Sequence, residues 1–245
     1  MVSTTFDSFY FLHIPKTAGR FFTHNVVVPI NDILVKNGIN SFYNRDTYVA
    51  HQFWSKDITD QTYICSILRD PVKHMVSIYS HYTMLNDGAQ RAIPVGSEDH
   101  DKNTMFEWMD KYSEYVSNIQ SKNFLISNPD GGFIYSESTK NCFVNNEIIF
   151  NRLNNVKLLI KSEDLKVDNI DIIHKKILKD FDIEYNKIDY KMQRASNYWN
   201  PDSTRIYKSL SSAEIDKILE FNNVDSEVYN TKSLFYDLRN SHEGL

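Results

Sequence analysis

The segment Ser8-Phe9-Tyr10-Phe11-Leu12-His13-Ile14 is short, rich in aromatics and stopped by Pro15, which is the pattern of a buried strand. A tight turn, Pro15-Lys16-Thr17-Ala18-Gly19-Arg20, separates it from Phe21 to Val28, which reads as a helix that Pro29 should interrupt. A second helical piece is expected from Pro29 to Asn37, with Gly38 as its stop. Arg45 to His51 reads as a short strand and Thr62 to Leu68 as a central one. Asp70-Pro71 then supplies an N-cap and a first-turn proline for a helix carrying Met75, Val76, Tyr79 and Tyr82 at helical spacing. The alternation continues with Val156 to Ile160 as a strand and a helix from about Asn169 to Phe181, with Ile170, Ile173, Ile177, Leu178 and Phe181 inward. Strands alternating with helices predict an α/β fold built on a mainly parallel sheet covered on both faces.

Between these units, Asn86 to Lys102 is polar and aperiodic and reads as a surface loop. Thr104-Met105-Phe106-Glu107 has the capping-box pattern, opening a helix whose buried face is Met105, Trp108, Met109, Tyr112, Val116 and Ile119. Ser211-Ser212-Ala213-Glu214 repeats that pattern before Ile215, Ile218 and Leu219. With 245 residues and neither an internal repeat nor a linker, the chain reads as a single domain over 1–245.

Thirty-two acidic groups against twenty-seven basic ones give a formal net charge of -5. Coating nucleic acid requires a broad Lys/Arg surplus, so that class is excluded and any anion site must be local. Cys65 and Cys142 are too few for a disulfide framework or a Cys-rich metal site, and Cys65, inside an apolar run, is expected as a small buried hydrophobe. The N-terminus has neither a basic n-region nor a long apolar stretch, so no signal or membrane anchor is expected and the address reads as cytoplasmic.

A strand feeding a helix through a tight loop aims free backbone N–H groups at one spot, which suits an anion. Lys16 adds a point charge there, Thr17 a hydroxyl donor, and Gly19 room for close approach. The Walker pattern G-x-x-x-x-G-K-[ST] is absent, because the lysine precedes the glycine. Taken alone, this turn fits an ordinary strand-to-helix connection equally well. Arg69 leaves the central strand at the edge where open α/β sheets bind ligands, and Ser77 follows two turns into the next helix. In isolation these read as a salt-bridged arginine and an exposed helical serine.

The string His13-Ile14-Pro15-Lys16-Thr17-Ala18-Gly19 resembles the 5′-phosphosulfate-binding loop of sulfotransferases that use 3′-phosphoadenosine 5′-phosphosulfate (PAPS). It is most like the carbohydrate enzymes of the heparan sulfate 2-O type. The resemblance implies a P-loop-like three-layer fold, with Lys16 contacting the phosphosulfate and stabilising the leaving phosphate. Thr17, Ala18, Gly19, Arg20 and Phe21 would complete the loop, Arg20 and Phe21 standing where the family has Ser or Thr. Leu68-Arg69-Asp70-Pro71 through Ser77 resembles the segment that holds the 3′-phosphate through Arg69 and Ser77. His51, at the end of a short strand, stands where the glycan enzymes place their general base, with His81 in reserve.

Further along, Glu163 is similar to a structural acid in a late acidic turn, and Arg194 and Ser196 fall in a segment resembling the loop over the adenosine. The span 86–140 would be a loop and helix insertion near the acceptor cleft. Among the other histidines, His13 is expected to pack or bond structurally, His24 and His174 to lie on helices, and His74 to be exposed beside Lys73. Tyr79, Tyr82, Trp108, Tyr198 and Trp199 are candidates for stacking on sugar rings, Trp108 being by default a core residue. The implied reaction needs PAPS as donor, no metal, and a hydroxyl acceptor, a carbohydrate first among them. The alternative is a PAPS-binding module that has lost transfer, motivated by Arg20 and Phe21. A P-loop phosphotransferase fits poorly, since neither the Walker lysine placement nor a metal-binding Asp after a strand is present.

Overall fold

The computed structural model describes residues 6–41, 54–55, 57–84, 101–126, 137–186, 188 and 201–238. Among the described residues, four strands, β1 (Ser8–Leu12), β2 (Asn40–Ser41), β3 (Thr62–Leu68) and β4 (Val156–Lys161), form one parallel sheet in the order β2-β1-β3-β4. β1 and β3 pair from Ser8 opposite Thr62 to Leu12 opposite Ser66, and every residue of both is buried. Burial on both faces is what continuous apolar runs predict for central parallel strands.

The α-helices among the described residues are α1 (Gly19–Phe22), α2 (Val28–Lys36), α3 (Pro71–Met84), α4 (Lys102–Lys111), α5 (Ser113–Val116), α6 (Ile119–Leu125), α7 (Glu137–Lys140), α8 (Asn146–Asn155), α9 (Ile170–Asp180), α10 (Pro201–Ser209), α11 (Ser212–Phe221) and α12 (Asn223–Asn230). One face of the sheet, with Phe9, Phe11, Tyr63, Cys65 and Ile67, packs on Phe22, Val26, Ile30 and Ile173 from α1, α2, α9 and the turn joining the first two. The opposite face, with Tyr10, Leu12, Ile64 and Leu68, packs on Phe124, Ile149, Leu153 and Val228 from α6, α8 and α12. That is the expected three-layer α/β arrangement. α3 instead joins α4, α10 and α11 in a separate helical core around Met75, Tyr79, Trp108, Ile206 and Ile218. No helix among the described residues is long and apolar enough to cross a membrane.

Pro29 does not break its helix. A π-helical turn, Thr23–Val27, joins α1 to α2, so that Pro29 falls in the first turn of α2, where a proline is tolerated. Proline lacks the N–H that would reach the Asn25 carbonyl, and His174 Nε2 donates to that oxygen instead at 2.8 Å. Gly38 ends α2 with φ 78°, as expected of the stop, and its N–H donates to the Val35 carbonyl at 3.1 Å. The single helix expected after Thr104 is three short ones. It also starts earlier, because Asp101 accepts from the Asn103 and Thr104 amides and so caps α4. Asn118, at φ 49°, interrupts it because its side-chain oxygen is bound by the Val224 and Asp225 amides at 3.0 and 3.1 Å. The second capping box, Ser211 with Glu214, forms as expected.

Candidate functional site

The chain leaves β1, returns to β2 on one side, and then crosses to β3 on the other. This reversal opens a crevice at the carboxyl ends of β1 and β3, the usual ligand position in open α/β sheets. The turn 13–18 and the start of α3 both sit at those ends.

In the turn after β1, Lys16 (φ 62°) and Ala18 (φ 70°) both adopt left-handed backbone. Each such L-residue costs roughly 1–2 kcal/mol, so the surroundings must hold the turn in place. Three contacts do so. The Thr17 hydroxyl donates to the Ile14 carbonyl at 2.9 Å, His74 Nε2 donates to the Pro15 carbonyl at 2.8 Å, and Arg69 Nη1 donates to the Lys16 carbonyl at 3.1 Å. The N–H groups of Lys16, Thr17, Ala18 and Gly19 have no hydrogen-bond partner among the described residues. Consecutive N–H groups in a loop with left-handed residues make an anion-binding concavity.

The second junction is anchored from α6. The Arg69 amide donates to Gln120 Oε1 at 2.8 Å, and Gln120 Nε2 donates back to the Arg69 carbonyl at 2.9 Å. Asp70 caps α3 by accepting from the Lys73 amide at 3.0 Å. Glu163 accepts from the Asp70 amide at 3.4 Å, from the Tyr229 hydroxyl at 3.0 Å and from the Ser162 hydroxyl at 3.0 Å, and lies 3.9 Å from Lys73 Nζ. It ties the end of β4 to α3 and α12, in keeping with the structural role expected of it.

Positive charge accumulates at this spot. Burial, with smaller contributions from the neighbouring Arg69 and Arg20, lowers the Lys16 ammonium to about 8. Arg69 is itself lowered by burial, against the pull of Glu163 and Asp70. Among the described residues, neither Lys16 nor Arg69 has a carboxylate within ion-pair distance. An anion entering here would return the lost hydration energy to both cations.

Lys16, Thr17, Ala18, Gly19, Arg20, Phe21 and Arg69 are therefore brought together, with differences in how each contributes. The Thr17 hydroxyl points inward to Ile14, leaving its amide as the donor available to a ligand. Arg20 is exposed on the first turn, while Phe21 packs against the sheet-face cluster. The space that Gly19 leaves is filled by the imidazole of His13, which is buried and stacks on Phe11 at 5.4 Å. Ser77 is buried on α3, one turn after His74, and its hydroxyl has no partner among the described residues. His81 lies one turn further on the same helix. His51, Arg194, Ser196, Tyr198 and Trp199 lie outside the described residues, as do the expected strand ending at His51 and the side chain of Tyr82.

Two expectations are corrected. His74 is not exposed beside Lys73 but 2 % accessible, because its ring turns away from solvent to reach Pro15. Tyr79 is fully buried, sharing a 2.6 Å hydrogen bond with Thr104 and packing edge-on to Trp108, so it offers no platform to a sugar. Sequence reasoning also missed Gln120, whose partner Arg69 lies 51 residues away and leaves no local mark.

No family model, curated protein or solved structure matches the chain.

Proposed function

We propose that this chain is a cytoplasmic PAPS-dependent sulfotransferase that moves a sulfuryl group to a hydroxyl, a carbohydrate hydroxyl first among them. The observation that carries the reading is the concentration of Lys16, Arg69 and four unpartnered amides at the carboxyl ends of β1 and β3. It supports a polyanionic ligand, and the order of the two segments along the chain is that of the resembled family. In this reading the acceptor oxygen attacks sulfur in line and passes its proton to His51. The bond from sulfur to the 5′-phosphate oxygen breaks, and Lys16 with the loop amides stabilises the charge on that oxygen. Arg69 and Ser77 hold the 3′-phosphate, and Arg194 and Ser196 cover the adenosine.

The inward hydroxyl of Thr17 and the packed ring of Phe21 favour a second reading, a binding module without transfer, because no side-chain hydroxyl of the turn faces the ligand. One experiment separates the two. The protein is incubated with labelled PAPS and a panel of glycans, phenols and peptides, beside Lys16→Ala and His51→Ala. Transfer that both substitutions abolish supports the enzyme; binding of 3′-phosphoadenosine 5′-phosphate without transfer supports the module. Absence of nucleotide binding overturns both.

A further inference from the structure

We propose that His74 is a positioning residue for the anion-binding turn, an inference that rests on the functional reading above. Two successive carbonyls of the turn are captured by side chains from one junction: Pro15 by His74 and Lys16 by Arg69. A trans peptide is planar, so its N–H points opposite to its C=O. Fixing the Pro15 carbonyl on His74 therefore turns the Lys16 N–H away from α3, and fixing the Lys16 carbonyl on Arg69 does the same for the Thr17 N–H. These are two of the four amides with no partner among the described residues.

The same pair of contacts holds Lys16 at φ 62°, a conformation a free lysine avoids. His74 can hold it because it is almost wholly buried and neutral, and a neutral imidazole facing a carbonyl oxygen must carry its proton on the facing nitrogen. The charged groups that act on it, Arg69 and Lys16, both disfavour a second proton. His74 is thus a donor of fixed tautomer that sets loop geometry without touching the ligand.

The test compares His74→Leu, which keeps bulk and loses the donor, with His74→Gln, whose amide nitrogen reaches about as far as Nε2. Calorimetric affinity for 3′-phosphoadenosine 5′-phosphate is read beside the melting curve and the NMR titration of the Lys16 ammonium. His74→Leu should bind at least tenfold more weakly while still melting cooperatively, with a shifted Lys16 titration, and His74→Gln should recover affinity to within about threefold of wild type. Equal affinity in the leucine variant, or no recovery with glutamine, overturns the proposal. Should His74→Leu not fold, the wild-type protein decides: the Nε2 resonance of His74 should move on nucleotide binding, and a static resonance overturns the proposal. If wild type does not bind the nucleotide, the sulfotransferase reading fails alone, and the same comparison is made with inorganic pyrophosphate. Failure to bind either anion overturns both.

Discussion

A Cβ built on Gly19 would stand 1.8 Å from Nε2 of His13, so the glycine is the seat on which that imidazole rests. Gly19 does not have left-handed backbone; Lys16 and Ala18 do. Its missing side chain therefore serves packing beneath the turn as well as any approach from above. Gly19→Ala should destabilise the fold by about 1–3 kcal/mol through overpacking. Adding His13→Ala should return part of that loss, and a double-mutant cycle in urea measures the coupling. Strict additivity of the two changes would mean that the ring moves aside freely.

Lys16 should oppose stability and serve binding at once. Its charged form is disfavoured in the folded chain by burial and by Arg69 and Arg20. Lys16→Met should therefore raise stability by roughly 1–3 kcal/mol at neutral pH while weakening polyanion binding at least tenfold. Thermal melts and calorimetry on the same samples check both signs. A destabilised Lys16→Met would show that the lysine is compensated by a group outside the described residues.

The same depressed ammonium sets an alkaline pH dependence. Between the folded value of about 8 and the ordinary 10.5, the unfolded chain binds more protons, so stability of the free protein should rise with pH across that window and be lost as pH falls through it. Affinity for a polyanion should move the other way, falling up to tenfold per pH unit above about 8 as the charge is lost. Binding near that pH should take up a proton, which calorimetry in buffers of different ionisation enthalpy reports.

Acid should act earlier than carboxylate titration alone would predict. Burial depresses His74 to about 3 and His174 to about 4, below the ordinary 6.5. Below pH 6.5 the unfolded chain gains protons that these two cannot accept, so stability should fall as pH drops toward their folded values, by up to about 1.4 kcal/mol per pH unit for each. Buried Asp225 works against this, since its carboxyl is raised from 3.8 to about 6 and favours the folded state as pH falls across that interval. Urea melts from pH 7 to pH 4 should show a net decline that becomes shallower in His174→Leu.

That variant carries a separate cost. Removing the His174 donor leaves the Asn25 carbonyl without the bond that replaces the one Pro29 cannot make. A buried carbonyl left unpaired should cost about 1–3 kcal/mol at pH 7. Pro29→Ala in the His174→Leu background should recover part of it by restoring a backbone N–H. Urea melts at pH 7 measure each step, and no recovery would show that the π-helical turn persists without the proline.

Local chemistry made much of this protein readable in its sequence. The apolar runs of β1 and β3 announce buried parallel strands because neither carries a charged residue on either face. Asp70-Pro71, Gly38 and the Ser211 with Glu214 pair mark helix ends through short-range bonds that residues a few positions apart make by themselves. Lys16 and Arg69 could be singled out because strand ends carry ligands in such sheets.

Tertiary structure decided what those residues do. His74 faces Pro15 rather than water, Gln120 braces Arg69, and Asn118 splits a helix because partners 51 to 107 residues distant satisfy their polar atoms. Sequence patterns report periodicity and propensity, which are local. The burial that neutralises His74, lowers Lys16 and leaves four amides unpartnered exists only once β1, β3 and α3 converge, and that convergence is a property of the fold.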